Sequence, residues 1–439
     1  MEPLSPGRGG LKVFAVTLGC PKNRVDTETG LASLASAIPI QVVEGPEEAD
    51  LLLVNTCGFL EAAVSESIET ILSLAGEMGP RQRLLVAGCM VNRYGAQLEP
   101  ELPEVDRFLR THELVRLGEI LAGTAAKGPR PRRIPSTPPW WAYLKVAEGC
   151  SNRCTYCLIP RIRGPQRDRP ATELVEEARE LEERGVKELI LVAQELTAYG
   201  GRRGQGLVGL LEALLQATSI PWIRLLYLHP KEITPQLLYL MAREERICNY
   251  LDIPIQHASN AVLRRMGRGY TAEEIEALLG EIRERLPHAA VRTTVMVGFP
   301  GEGPGEVDEL LRALERWRFD HLGCFVYSDE EEAPSSRLPG KVAREEGERR
   351  RRLVMELQAE ISRERNRRWV GRRLEVLVEG VSPETDLLLV GRTRFQAPEI
   401  DGITYINRGR FTPGEIAELV VEEAHTYDLV AGSPGGEQG

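Results

Sequence analysis

No stretch of this 439-residue chain approaches the ~20 consecutive apolar residues that a membrane-spanning helix needs, which excludes a transmembrane role. Its first residues, MEPLSPGRGGLKVF, hold no apolar core of a secretory signal, so a cytoplasmic location is expected. Basic charge is also in short supply. Lys and Arg number 55 against 65 Asp and Glu, a net charge of −10, whereas a general nucleic-acid scaffold is usually basic. Any RNA contact must then be local. Lysine is scarcest, 7 residues beside 48 arginines, a skew that fits genome composition or heat adaptation better than function. The rest is ordinary for a folded protein: 42% hydrophobic and 27% charged residues argue against a disordered or fibrous chain. At roughly 150 residues per domain, the length allows about three domains.

Eight cysteines without an export signal read as reduced thiols, available to a metal or a reaction rather than to a disulfide framework. Six of them form two sets of three: Cys20, Cys57 and Cys89, then Cys150, Cys154 and Cys157. Cys248 and Cys324 stand apart, toward the starts of their apolar runs, and are expected to pack in the core.

Apolar runs at 11–19, 38–43, 50–56 and 83–88 alternate with helical patterns, one of them at 58–74. That alternation reads as a parallel α/β domain over 11–128. Five prolines between 129 and 139 make 129–140 an extended linker. A second series of runs, at 143–149, 188–195, 222–230, 249–256, 291–301 and 321–329, gives six strand–helix units, a partial (βα)6 barrel over 141–342. A charged helix at 343–370 leads to short strands punctuated by Gly and Pro at 371–432, a small β-barrel. The tail SPGGEQG is expected to be disordered.

Cys20, Cys57 and Cys89 each follow an apolar run directly or one residue later, in VTLGC, LVNTC and VAGC. Strand C-termini of a parallel sheet share one edge, where ligands collect, so the three thiols should meet there. They could be buried structural cysteines, a three-thiolate zinc site, or ligands of an iron–sulfur cluster with one iron left open. The second set, EGCSNRCTYC at 148–157, spaces its thiols C-x3-C-x2-C on the loop after the first strand of the six-unit domain, at the mouth where barrel chemistry occurs. Zinc sites pair one C-x2-C with another, which this chain lacks, and ferredoxin spacing differs.

C-x3-C-x2-C with an aromatic, Tyr156, before its last cysteine resembles the radical S-adenosylmethionine superfamily. The resemblance implies a [4Fe-4S] cluster whose open iron chelates S-adenosylmethionine, and reductive cleavage to a 5′-deoxyadenosyl radical. TLGCPKNRVDTE, LVNTCGF, AGC, EGCSNRCTYCLIPRIRG, AQELTAYG, LDIPIQHAS and VGFPGE together are similar to the methylthiotransferase family, along nearly the whole chain. That family carries a second [4Fe-4S] cluster on its N-terminal triad and a C-terminal TRAM domain. It uses one S-adenosylmethionine as methyl donor and one as radical source, with an electron donor such as flavodoxin or ferredoxin. The resemblance implies Cys20, Cys57, Cys89, Cys150, Cys154 and Cys157 as metal ligands. It implies Tyr156, Glu195, Gly298, Gly301 and Glu302 on the S-adenosylmethionine side. No protein acid or base is expected to carry the reaction. Arg224 and His229 are weaker candidates for the same cavity.

The family has two branches. The MiaB type modifies isopentenylated adenosine in tRNA; the other modifies an aspartate β-carbon in ribosomal protein S-twelve of the small subunit. GCPKNRVDTE, IPRIRG and GRTRFQAPEIDG resemble the ribosomal branch. AQELTAYG and YSDEEEAPS depart from its usual AQDTTRYG and YSPEEGTP, away from any cluster ligand. Charge points the same way. Between 371 and 431 six arginines face eleven acids, net −5, where an RNA-binding barrel needs a basic groove. An acidic barrel suits a basic protein partner, which it is expected to dock over the mouth. A non-enzymatic ribosome- or RNA-binding protein with structural metal sites is the competing class, and two open cysteine triads argue against it.

Overall fold

The structure is a computed structural model and describes residues 10–123, 132–201 and 205–434. Linker residues 129–131 and the last five residues of the tail lie outside the described residues. The chain forms two compact units. The first holds residues up to 138 with 143–152 and 157–167; the second holds 139–142, 153–156 and everything from 168 onward.

In the first unit β1 (Leu11–Thr17), β2 (Ile40–Val42), β3 (Leu51–Thr56), β4 (Arg83–Gly88) and β5 (Arg107–Leu109) form one sheet, ordered β2-β1-β3-β4-β5, with every pairing parallel. All six positions of β3 are buried. Leu51 and Leu53 enter a core with Leu31 and Leu34 of the helix Pro21–Ala37, while Leu52 and Val54 enter one on the other face with Ile71 of the helix Glu61–Glu77. Burial on both faces is why the run is continuously apolar and not alternating. The edge strand β5 has no counterpart among the expected runs, because three residues, RFL, carry no readable period.

Next along the chain come β6 (Trp141–Lys145) and a short ladder of β7 (Ala147–Glu148) with β8 (Arg167–Asp168). The main sheet of the second unit follows. It comprises β9 (Glu188–Val192), β10 (Trp222–Leu225), β11 (Ile247–Asp252), β12 (Ala290–Val297) and β13 (His321–Val326), with β6 on its β9 edge. The pairings from β9 to β13 are parallel, and the six-stranded order follows the chain without closing into a ring. This is the expected open (βα)6 arrangement. Cys248 and Cys324 are buried in β11 and β13, although Cys324 lies in the middle of its strand. The charged helix spans Arg344–Arg367. A closed five-stranded barrel ends the chain: β14 (Arg373–Ser382), β15 (Thr385–Thr393), β16 (Thr404–Arg408), β17 (Ile416–Ala424) and β18 (Leu429–Gly432), ordered β14-β15-β16-β18-β17. Val376, Val378, Ile406, Leu419 and Ala431 fill it.

Residues of GRTRFQAPEIDG, at 391–402, fasten this barrel to the six-stranded sheet. Glu188, the first residue of β9, accepts from Arg224 Nε at 2.5 Å and from Arg392 Nη2 at 2.6 Å, with all three side chains almost completely buried. Arg224 Nη1 donates to the Arg394 carbonyl at 2.9 Å. Asp401 accepts from Tyr250 OH at 2.6 Å and lies 3.4 Å from Arg292 Nε. His321, the first residue of β13, bonds the Phe395 carbonyl at 2.8 Å. These anchors cluster toward the strand starts, whereas ligands gather where strands end. The barrel is therefore seated at the edge opposite the mouth over which a protein partner is expected to dock. It also moves Arg224 out of the cavity and into the latch.

Burial alone would raise the Glu188 carboxyl, but Arg224 and Arg392 hold it below the ordinary glutamate value. Its stabilisation is complete above that ordinary value and is lost as pH falls beneath it. Glu188→Gln leaves the buried Arg224 without a counter-charge and Arg392 with Glu379 alone, and should cost about 3–5 kcal/mol in denaturant unfolding. A loss below ~1 kcal/mol would show that the latch does not hold the barrel.

Candidate functional site

β1, β3 and β4 are neighbours and end almost level: Thr17, the last residue of β1, pairs with Asn55, one before the end of β3, and Thr56 pairs with Gly88. Cys57 and Cys89 thus leave adjacent strands side by side, at the ~4.8 Å spacing of a sheet. Cys20 caps the helix Pro21–Ala37, and Cys89 opens the helix Cys89–Tyr94. Gly19 and Gly88, each directly before a cysteine, have φ of +90° and +107°. Side chains other than hydrogen rarely tolerate that conformation. The space is closed as well: a Cβ on Gly88 would stand 2.3 Å from Asn55 Oδ1, and one on Gly19 would stand 2.9 Å from the Cys57 Cβ.

Asn23 stitches this edge together. Its Nδ2 donates to the Leu18 carbonyl at 2.9 Å and to the Thr56 carbonyl at 3.0 Å, while Asn55 Nδ2 donates to the Asn23 carbonyl at 2.8 Å. Arg163, six residues past Cys157, reaches the same point. Its Nε donates to Cys89 Sγ at 3.1 Å, and its Nη2 donates to Asn23 Oδ1 and, at 3.0 Å, to Asp26. Its Nη1 donates to Glu148 at 2.7 Å, and Lys145 donates to both Glu148 and Asp26. Glu28 takes Arg133 at 3.0 Å and the backbone and hydroxyl of Ser136 at 2.7 and 2.8 Å. PKNRVDTE is therefore a row of buried anchors.

Burial pushes the Cys89 thiol up to about 12; Arg163 favours its thiolate, while Cys20 and Cys57 oppose it. Burial likewise raises Cys57. Burial thus works against the thiolate form of Cys57 and Cys89, and added positive charge, as a metal supplies, favours it. Among the described residues no three His, Cys, Asp or Glu side chains converge tightly enough to enclose one metal ion. Three cysteines gathered at one strand-end edge are a donor set that a [4Fe-4S] cluster takes, with one iron left for another ligand.

In the second cysteine set, Cys150 and Cys157 belong to the first unit and Cys154 to the second. Cys150 N donates to the Gly164 carbonyl at 3.1 Å. Within the second unit, Arg268 Nη1 donates to Cys154 Sγ at 3.3 Å and to Tyr156 OH at 3.5 Å. Its remaining nitrogens hold Tyr270 OH at 2.6 Å and the Pro254 carbonyl at 3.0 Å. Tyr156 meets Phe299 edge-on, with ring centroids 6.5 Å apart. Each cysteine set thus has one buried arginine directed at one of its sulfurs.

The other expected residues lie as follows. Glu195 is buried just past β9, 3.5 Å from Thr197 Oγ1. Gly298 and Gly301 turn after β12 with φ of +74° and +79°. Glu302 is committed to packing: its carboxylate accepts from Arg350 at 2.9 Å and from Phe299 N at 3.2 Å. His229 caps the short turn Pro230–Glu232 and meets Tyr270 edge-on.

Three family models match the chain: the radical SAM superfamily over 144–314, the uncharacterized protein family UPF0004 over 12–110, and the TRAM domain over 370–433. The chain is 46% identical to the ribosomal protein uS12 methylthiotransferase RimO of Myxococcus xanthus, across 95% of this chain and 91% of that protein. It is 45% identical to the protein of the same name from Desulfotalea psychrophila, across 96% and 99%. The chain belongs to the RimO family of methylthiotransferases. Among solved structures, the radical S-adenosylmethionine methyltransferase TsrM from Kitasatospora setae shares the fold, with a TM-score of 0.55, 16% identity and coverage of 71% of this chain and 72% of that one.

As a RimO-family member the chain is a radical SAM enzyme, and its cofactors are S-adenosylmethionine and [4Fe-4S] clusters. Asn23, Arg163 and Arg268 are the site residues that sequence reasoning missed. The first two fall inside quoted motifs, GCPKNRVDTE and IPRIRG, and that placement was the only signal the sequence offered. Asn23→Ala strips donors from the Leu18 and Thr56 carbonyls, at ~1–3 kcal/mol for each group left unpaired. Chemical denaturation should register this, and a change under ~0.5 kcal/mol would mean that the strand ends are held otherwise.

Proposed function

We propose that the chain adds a methylthio group to the β-carbon of an aspartate in ribosomal protein uS12, using one S-adenosylmethionine as methyl donor and a second as radical source. The observation that carries this reading is alignment with relatives named for uS12 along nearly the whole chain. We assign Cys150, Cys154 and Cys157 to the cluster that binds S-adenosylmethionine, and Cys20, Cys57 and Cys89 to a second, sulfur-carrying cluster. When bound, the first supplies the electron for sulfonium cleavage and the second supplies the sulfur. Tyr156, Glu195, Gly298 and Gly301 belong to the S-adenosylmethionine side, with Glu302 and Arg350 holding the turn that presents the two glycines. The aspartate β-carbon bears no leaving group and its C–H is not acidic enough for an ordinary side-chain base, so the chain's task is to position the substrate and exclude water.

The domain assignment follows: 11–128 the methylthiotransferase domain, 129–140 a linker, 141–342 the radical SAM domain, 343–370 a connecting helix and 371–432 the TRAM-like barrel. The electron donor is a redox protein such as flavodoxin or ferredoxin, and the enzyme works in the cytoplasm, where a modifier of a ribosomal protein meets its substrate. No helix among the described residues is long and apolar enough to cross a membrane. A basic protein substrate is favoured by the barrel's outer surface. With Arg392, Arg394 and Asp401 taken up by the latch, Arg372, Arg373, Arg408 and Arg410 face ten acids.

Anaerobic reconstitution should give about eight iron and eight sulfide per chain. Replacing Cys150, Cys154 and Cys157 by Ala should halve the iron and abolish S-adenosylmethionine cleavage. The Cys20, Cys57 and Cys89 triple Ala variant should still form 5′-deoxyadenosine but transfer no methylthio group. Glu384→Lys with Asp386→Lys and Glu423→Lys, all at exposed positions, should weaken uS12 modification and leave uncoupled cleavage intact. Mass spectrometry of uS12 and isopentenylated tRNA offered together decides the substrate. Methylthio incorporation into the tRNA alone would replace this reading with the MiaB-type one.

A further inference from the structure

Arg163 has all its polar contacts inside the first unit, and its side chain is 1% exposed. The guanidinium is used as a fork. One nitrogen takes the Cys89 sulfur, one takes Glu148, and one is shared by Asn23 and Asp26. Lys145 closes the ring by bonding both carboxylates. Two cations and two carboxylates balance, so the ring is neutral only while Arg163 is present. The segment that carries Arg163 is also gripped beside Cys89: Asn92 Nδ2 donates to the Ile162 carbonyl at 2.9 Å. Glu148 is two residues ahead of Cys150, so one guanidinium joins the N-terminal sulfur edge to the start of the C-x3-C-x2-C loop.

We propose that Arg163 is the positioning residue of the Cys20–Cys57–Cys89 site: it fixes the Cys89 sulfur and supplies the counter-charge that sets the reduction potential of the cluster held there. The inference rests on the proposed assignment of that cluster to those three cysteines. The physical basis is general. Reduction adds a negative charge to a cluster, and an N–H donor or a positive charge at a ligand sulfur stabilises the reduced form. Lysine keeps the charge at this place but cannot make three directed bonds at once. Glutamine keeps part of the shape and removes the charge, leaving Asp26 and Glu148 with Lys145 alone. Glu148→Gln acts in the opposite sense, removing an anion that competes with the sulfur for the guanidinium.

The test uses the full chain with Cys150, Cys154 and Cys157 replaced by Ala, so that only the N-terminal site takes iron. Iron and sulfide content, the electron paramagnetic resonance spectrum and a redox titration are measured after anaerobic reconstitution. Arg163→Gln should lower the midpoint potential at least tenfold in the oxidised-to-reduced ratio, ~59 mV for one electron. Arg163→Lys should shift it less, and Glu148→Gln should raise it. If Arg163→Gln loads no iron, loading restored by Arg163→Lys supports the positioning role. If neither loads, Glu148→Gln decides, and an unchanged potential there overturns the inference. A loaded Arg163→Gln site with an unchanged potential also overturns it. Failure of the parent triple variant to bind iron would instead sink the cluster assignment itself, and the inference with it.

Discussion

A charge taken out of water must be met by an opposite charge within a few ångströms, or the fold loses several kcal/mol. Two buried networks in this chain obey that constraint, and each holds one functional part in place. In the first unit Lys145, Asp26, Arg163 and Glu148 form a ring beside Cys89. In the second unit Glu188 lies between Arg224 and Arg392 and fixes the terminal barrel to the strand-start edge. Neither network is needed for stability alone, since apolar residues of similar volume can do as well or better. Both specify position: removal of one partner leaves the others stranded, so alternative packings are penalised.

The strand ends show how sequence becomes chemistry. Parallel pairing places the ends of β1, β3 and β4 together, and register brings Thr56 opposite Gly88. The glycines then turn the backbone so abruptly that the next residue leaves the sheet at once. A thiol at that place lies at the sheet edge, close to the next strand's thiol. The 32 residues from Cys57 to Cys89 are one helix and one strand, and the 37 from Cys20 to Cys57 add the edge strand β2 to such a repeat. The same logic made the first cysteine triad legible without coordinates.

Other features were not legible, for identifiable reasons. GRTRFQAPEIDG could be matched to a branch of the family and its arginines counted in the barrel's charge; only burial of Arg392 against Glu188, 204 positions away, reveals a latch. Arg163 and Cys89 are separated by 74 positions, and no local period links a guanidinium to a distant sulfur. Glu302 came from the likeness of VGFPGE to the family, which does not reveal that its carboxylate accepts from Arg350 and Phe299. Periodicity reports faces and strand ends, whereas long-range polar pairing has no periodic signature.

Seating the barrel at the strand-start edge changes what its acidity can do. A surface fastened there is remote from the C-terminal mouth, so it cannot present the reacting aspartate. It can bind the body of a basic protein while a loop of that protein extends toward the mouth. Rim charges of this kind act mainly on encounter and orientation and are screened beyond ~8–10 Å at physiological ionic strength. On the proposed reading, substrate choice divides into two physical steps: a salt-sensitive capture by exposed acids such as Asp386 and Glu423, and a short-range fit at the mouth. The rigidity of the Glu188 latch is what relates the two, because a barrel free to swing would capture the protein without placing its loop. On that reading the buried Glu188, Arg224 and Arg392 serve the placing of the substrate as well as the packing of the barrel.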